Sequence, residues 1–113
     1  MSKALFLDDE RNVEDVTWLK YPSVDWVVAR DYTEFLAKLQ EQKFSFISMD
    51  HDLGVGKTGY DCLKAMIEGC EAAGVQIPLC VFHTQNPVGK RNMEQTFLNY
   101  VEYAAKSGRV YAS

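Results

Sequence analysis

The stretch ALFLDDER, residues 4–11, begins with four apolar residues and then turns abruptly acidic. A short run that is apolar at every position is typical of a parallel strand buried on both faces of its sheet. Three further short runs follow, at 24–29, 44–49 and 77–82. Asp25 interrupts the first of these, as we expect of an edge strand. The sequence therefore predicts at least four strands.

Segments with the apolar spacing of helices separate and follow these runs. Side chains suited to capping stand before three of them, at Asp31, Thr58 and Asn86, and Pro87 follows the last at a first-turn position. A short stub at 109–111 could add a fifth strand. The apolar positions that indicate the helices span residues 13–19, 32–39, 63–70 and 93–104, and the last helix is opened by Asn86-Pro87.

Strands and helices thus alternate along the whole chain. This order predicts an α/β fold, a three-layer doubly wound parallel sheet of four to five strands with right-handed crossovers. Because no repeat, linker or charge block interrupts it, we expect residues 1–113 to form one domain. In such sheets the functional site lies at the carboxyl ends of the strands.

The composition narrows the classes of function. Of the 113 residues, 47% are hydrophobic and 25% charged, which is the balance of a globular domain. The net charge of −4 argues against binding nucleic acid through bulk charge. No apolar run approaches the roughly 18 residues of a membrane span, and no signal peptide is recognisable. Three cysteines without metal-ligand spacing predict reduced thiols, hence a cytoplasmic location.

Three of the predicted strands end in charged or hydrogen-bonding side chains. Asp8 and Asp9 follow the first strand, and Asp50 follows the third. Carboxylates on neighbouring strand ends repel one another unless a cation lies between them. Oxygen ligands of this kind suit Mg²⁺ or Mn²⁺, so we predict that these three aspartates bind such an ion. In the alternative interpretation they are solvated loop acids, as we expect for Glu10.

Both histidines of the chain, His51 and His83, also lie at strand ends. Their ordinary pKa near 6.5 suits proton transfer at neutral pH, which makes each a candidate general acid or base. Side chains alternate along a strand, so His83 and Thr84 point to opposite faces if the strand stays regular. If Thr84 faces the site, His83 could instead be a buried structural histidine.

Two loops carry candidate phosphate contacts. The segment GVGKTG, residues 54–59, resembles the end of a P-loop, but the glycine that the motif requires is replaced by His51. We therefore interpret it as a flexible loop. The helix that begins after Asn86 offers free N–H groups to an anion, and Lys90 adds positive charge there.

The layout resembles that of response-regulator receiver domains, which have an acidic pair after strand one, an aspartate after strand three and a threonine after strand four. The resemblance implies a flavodoxin-like fold with strand order 2-1-3-4-5. It also implies that Asp8 and Asp9 hold Mg²⁺, that Asp50 accepts a phosphoryl group and that Thr84 contacts it. The lysine that follows strand five in receivers has no match here, which counts against a signalling role.

Several longer motifs resemble a narrower family, the cyclic-phosphate-processing receiver-like proteins of bacteria and their phages. These motifs are LDDER at 7–11, SMDHDLG at 48–54, TGYD at 58–61 and HTQNPVG at 83–89, with Asn92-Met93. The resemblance implies a metal-dependent phosphoesterase that acts on RNA 2′,3′-cyclic ends or cyclic nucleotides. Its substrate is then a phosphate-bearing small molecule or an RNA end.

The site residues expected for such a reaction fall into three groups. Metal binding is assigned to Asp8, Asp9 and Asp50; catalysis to Asp50, His83, His51 and Asp52; and substrate binding to Arg11, Thr84, Asn86 and Lys90. Attack by water and a covalent intermediate at Asp50 both remain open at this stage. Two alternative functions also remain: a phosphoacceptor switch that uses Asp50, and a non-catalytic module that binds a nucleotide or a protein.

Overall fold

The computed structural model describes residues 3–108. Strands and helices alternate in the predicted order, and each predicted strand is present, shortened by one or two residues at its start or extended by one. The elements are β1 (Lys3–Leu7), a 3₁₀ turn (Val13–Asp15), β2 (Asp25–Ala29), α1 (Tyr32–Glu41), β3 (Phe46–Met49), α2 (Gly59–Ala73), β4 (Leu79–Phe82) and α3 (Pro87–Lys106).

The four strands form one parallel sheet in the order β2-β1-β3-β4. In its register Phe6 lies between Val28 and Ser48, and Ser48 pairs with Val81. This topology confirms the predicted doubly wound order for its first four strands, with β2 at one edge. The predicted stub at 109–111 lies outside the described residues.

The helix starts follow from local hydrogen bonds that the sequence predicts. The Asp31 carboxylate accepts from the backbone N–H of Glu34 at 2.8 Å and begins α1. Thr58 and Asp61 form a reciprocal capping box before α2. The Asn86 side chain accepts from the N–H of Gly89 at 3.1 Å and begins α3. These caps fix the loops that surround the strand ends.

The helix predicted over 13–19 is wrong, because only one 3₁₀ turn forms there. Asp15 accepts from the N–H of Asn12 and closes the turn, after which Val16 is extended, with φ −89° and ψ 100°. The β-branched residues at 13, 16 and 17 favour such extended backbone over a helix. The segment from β1 to β2 is therefore mostly a loop.

The two faces of the sheet are covered differently. Leu5, Leu7, Ile47 and Met49 belong to the main core, which also contains buried side chains of all three α-helices. Alternate residues face the other way, where the rings of Phe6, Trp26 and Phe46 pack around Tyr21. Among residues 3–108, this second face is thus covered by the loop before β2 and not by an α-helix.

None of the helices in residues 3–108 combines the length and the apolar character that crossing a membrane requires. The longest, α3, carries charged and amide side chains along its 20 residues.

Candidate functional site

Strand register brings three polar side chains together at one edge of the sheet. Phe6, Ser48 and Val81 form a row across β1, β3 and β4. Because side chains repeat their direction every second residue, the row two positions further along consists of Asp8, Asp50 and His83. The structure confirms the consequence: all three are buried, and each offers a ligand atom within 4.8 Å of the others.

Asp8 is the acid of this group that accepts the most hydrogen bonds. Its Oδ1 accepts from the backbone N–H groups of Glu10 at 2.9 Å and Arg11 at 2.8 Å, and its Oδ2 accepts from His83 Nε2 at 2.9 Å. Burial alone would raise the pKa of this carboxyl, but these hydrogen bonds outweigh it and lower the pKa to about 2. Asp8 is therefore a fixed carboxylate at neutral pH.

The pKa of Asp50 is shifted in the opposite direction. Burial, followed by the negative charge of Asp8, raises its pKa above the ordinary value. The N–H of His51, at 2.8 Å from Oδ1, and the Thr84 hydroxyl hydrogen-bond to the carboxylate and oppose this shift only in part. Two buried carboxylates so close together favour a bound proton or a cation.

A cleft of about 570 Å³ opens at this edge of the sheet. It contains Asp9 beside the buried pair, so all three aspartates predicted to bind metal border one space. Arg11, Asp52, Thr84 and Asn86 from the predicted set also line it. Its remaining lining residues are Glu10, Gly54, Gln85 and Pro87.

The residues present fit a hard divalent cation. The cleft lining includes the carboxylates of Asp8, Asp9 and Asp50, and burial together with the negative charge of Asp8 raises the pKa of Asp50. Oxygen-rich sites with one or two carboxylates suit Mg²⁺ or Mn²⁺. The imidazole of His83 is already hydrogen-bonded to Asp8, so it would orient this ligand and not bind the cation itself.

His83 lies outside the cleft lining and is fully buried. Its ring stacks on Phe6 with centroids 4.6 Å apart and planes inclined by 5°. Nε2 bonds Asp8, and Nδ1 lies 2.8 Å from Ser48 Oγ, which in turn contacts the Tyr21 hydroxyl. Sequence analysis missed Ser48 and Tyr21. The alternation that links Ser48 to Asp50 could have identified the first; nothing in the pattern marks the second.

His51 lies on the other side of the strand end, as alternation from Asp50 requires, and, like His83, it is not among the residues that line the cleft. Its Nδ1 is 3.0 Å from Asp52 Oδ1, and Asn86 Nδ2 donates to Asp52 Oδ2 at 3.4 Å. The ring packs on the start of α3 at Gly89, where a Cβ atom would lie 2.5 Å from His51 Cγ. Glycine therefore makes room for the imidazole.

Arg11 is held above the cleft by several groups. Its guanidinium lies over the Trp18 ring at 5.3 Å, donates to Gln85 Oε1 at 3.2 Å and approaches Asp8 Oδ2 at 3.7 Å. Trp18 itself donates to the carbonyl of His83. The predicted substrate residue Lys90 is half-buried in α3 and is not among the residues that line the cleft.

Comparison with known proteins agrees with this layout. No curated protein matches the chain. A solved structure described as a CheY-like response regulator receiver domain protein from Methanospirillum hungatei JF-1 is 17% identical. It has a TM-score of 0.50, and the match covers 95% of this chain and 98% of that one. This likeness shows the fold. The sequence profile described as the cyclic-phosphate processing receiver domain matches residues 3–99. The chain belongs to the cyclic-phosphate processing receiver domain family.

Proposed function

We propose that this protein opens cyclic phosphodiesters, such as RNA 2′,3′-cyclic ends or cyclic nucleotides, into phosphomonoesters with the help of Mg²⁺ or Mn²⁺. The observation that carries the proposal is the buried pair Asp8 and Asp50, which borders a cleft together with Asp9 and Arg11. A cleft of this size accommodates a nucleotide-sized ligand.

Asp8, Asp50 and Asp9 would hold the cation. A bound divalent ion supplies stabilisation of the charge that develops on the phosphoryl oxygens. The hydrogen bonds of Asp8 already fix its carboxylate, and the charge of the ion would keep Asp50 ionised. These residues therefore bind without large rearrangement.

The phosphate is bound by other groups that line the same cleft as the aspartates. Arg11 provides a planar cation that suits phosphate oxygens, and the Thr84 hydroxyl lies beside Asp50. The start of α3, capped by Asn86, adds the positive end of a helix dipole. Together these groups would hold the reacting phosphorus beside the aspartates.

Proton transfer is assigned to Asp52, which lines the cleft, while its hydrogen-bonding partner His51 lies outside the lining. Water attacks phosphorus, one ribosyl P–O bond breaks, and the leaving oxygen must gain the proton that the water loses. The Asp52 carboxylate can accept the first proton and return it to the leaving oxygen, and its hydrogen bond with His51 fixes its position. His83 does not line the cleft, so it acts through Asp8.

A second candidate function is a phosphoacceptor switch. It is favoured by the hydrogen bond between Thr84 and Asp50, because both residues would contact a phosphoryl group on that carboxylate. In this role Asp50 attacks phosphorus and expels the leaving group of a small phosphodonor. The bond between the Asp50 carboxylate and phosphorus would also form transiently if hydrolysis proceeds through a covalent intermediate.

One experiment separates these functions. An RNA oligonucleotide with a 2′,3′-cyclic end and a cyclic mononucleotide are incubated with the protein and Mg²⁺ or Mn²⁺, and the products are resolved by electrophoresis and chromatography. We expect conversion to phosphomonoesters that stops with chelator or with Asp50→Asn. A stable gain of one phosphoryl mass from a small phosphodonor, with no opening of either substrate, would support the switch. Binding without either product would contradict both.

A further inference from the structure

We propose that Tyr21 and Ser48 are positioning residues that orient the Asp8 carboxylate through His83. The inference rests on the proposed function only in assigning Asp8 to the cation. Neither residue lines the cleft, and both lie on the aromatic face of the sheet. They would therefore influence the site without touching the substrate.

The four side chains form one continuous series of hydrogen bonds. The Tyr21 hydroxyl contacts Ser48 Oγ, Ser48 Oγ lies 2.8 Å from His83 Nδ1, and His83 Nε2 lies 2.9 Å from Asp8 Oδ2. Ser48 and His83 are both fully buried, so water cannot substitute for a missing partner. Stacking on Phe6 keeps the imidazole plane in line with the series.

Hydrogen-bond accounting gives the series a direction. Asp8 is a carboxylate, so it can only accept, and Nε2 of His83 must carry the hydrogen that lies between them. In the neutral imidazole, Nδ1 then accepts from the hydroxyl of Ser48. The Ser48 oxygen in turn accepts from Tyr21, whose pKa is raised by burial and by the charge of Asp8, so that its phenol stays protonated. Every donor then points toward Asp8.

The direction of these hydrogen bonds determines which lone pairs of Asp8 are occupied. A carboxylate has about four in-plane acceptor positions, two on each oxygen. The N–H groups of Glu10 and Arg11 occupy those of Oδ1, and His83 occupies one of Oδ2. The other position of Oδ2 makes no hydrogen bond within residues 3–108, although the Arg11 guanidinium lies 3.7 Å from this oxygen, and this position would accept a cation in the cleft. Ser48 and Tyr21 keep the hydrogen on Nε2 of His83. This hydrogen thus determines which acceptor position of the Asp8 carboxylate can bind metal.

The first test is made on the metal-free protein. Nitrogen-15 spectra of the imidazole rings identify the hydrogen-bearing nitrogen, and the chain has only two histidines to assign. We expect hydrogen on Nε2 of His83, with its proton resonance shifted downfield by the carboxylate. In Ser48→Ala the Nδ1 resonance should move to that of an unbonded imine nitrogen. Hydrogen on Nδ1, or spectra unchanged by Ser48→Ala, would overturn the proposal.

The second test compares replacements of His83 by amides. His83→Gln keeps a donor near the place of Nε2, whereas His83→Asn keeps only a group near Nδ1. Both lose the stacking on Phe6, so a purely structural role affects them equally. We expect Mn²⁺ affinity, measured by calorimetry, to fall about 10- to 100-fold more in His83→Asn, as for other residues that support metal ligands.

Two milder variants guard against loss of folding. Ser48→Ala should weaken Mn²⁺ binding about tenfold and Tyr21→Phe by less, while Tyr100→Phe, which removes a remote hydroxyl bonded to Glu71, should have no effect. Equal affinities in Ser48→Ala and the unsubstituted protein would overturn the proposal. If the unsubstituted protein binds no Mn²⁺, the proposed function fails, and the spectra alone decide whether the series orients Asp8.

Discussion

Replacing Gly89 by alanine tests whether the imidazole of His51 is placed as the mechanism requires. A Cβ atom at this position would lie 2.5 Å from His51 Cγ and 2.7 Å from Cδ2. Ordinary contact begins near 3.4 Å, so the ring must move by about 1 Å. That movement displaces His51 relative to its partner Asp52.

The magnitude follows from a comparison with Gly69 in the middle of α2, where an added Cβ meets nothing within 4 Å. There, alanine should stabilise the protein by about 1 kcal/mol through helix propensity. At Gly89 the same gain is offset by overpacking, which costs about 1–3 kcal/mol. We therefore expect Gly89→Ala to be less stable than Gly69→Ala by about 1–3 kcal/mol in urea unfolding.

Activity should separate the two variants further. His51 positions Asp52, and a 1 Å misplacement outside the reacting groups can cost about 10²-fold in rate, so we expect kcat for a cyclic phosphate to fall by that factor in Gly89→Ala. Gly69→Ala should keep the rate of the unsubstituted protein. The reasoning is refuted if Gly89→Ala is as stable and as active as Gly69→Ala.

Three further results are expected. In the cation-free protein, Asp50→Asn should raise Tm at neutral pH, because it removes a carboxylate whose pKa is raised by burial and by Asp8; the gain should vanish below about pH 4, where the unfolded chain also binds that proton. An unchanged or lower Tm at pH 7 would contradict the shift. Arg11→Gln should raise KM for a cyclic phosphate about tenfold or more, whereas Lys90→Gln, outside the cleft lining, should change it less; equal effects would contradict the placement of Arg11. Burial raises the pKa of the Cys62 thiol to about 12, so iodoacetamide at pH 8 should leave Cys62 unlabelled until the protein is unfolded, as mass spectrometry would show.

All four strands, and the three helices that follow residue 31, can be predicted directly from the sequence, because each apolar run and each cap is a local signal. The carboxyl ends of the strands likewise identify Asp8 and Asp50, since topology alone brings them together. The segment 13–19 was harder to predict: its apolar residues suit either a helix or a loop packed on the sheet. Local hydrogen bonding at Asn12 and Asp15 favours the loop.

The surroundings of the site depend on packing that no short motif records. His83 is conspicuous in the sequence, yet its place behind Asp8 follows from strand register, which puts it in the row of Asp8 and Asp50, two residues beyond the row of Phe6 and Ser48. Tyr21 reaches that row from a loop with no periodic pattern. Trp18 also belongs to a segment without a periodic pattern. It lies near the cleft because it donates a hydrogen bond to the His83 carbonyl and its ring packs against the Arg11 guanidinium.

The central claim is that the cleft beside Asp8 and Asp50 opens a cyclic phosphodiester. The most direct measurement follows uridine 2′,3′-cyclic phosphate by phosphorus-31 NMR in the presence of Mg²⁺, with the protein and with Asp50→Asn in parallel. The account predicts that the cyclic resonance is replaced by that of a phosphomonoester only with the unsubstituted protein. A cyclic resonance that persists in both samples, or that disappears equally in both, would contradict it.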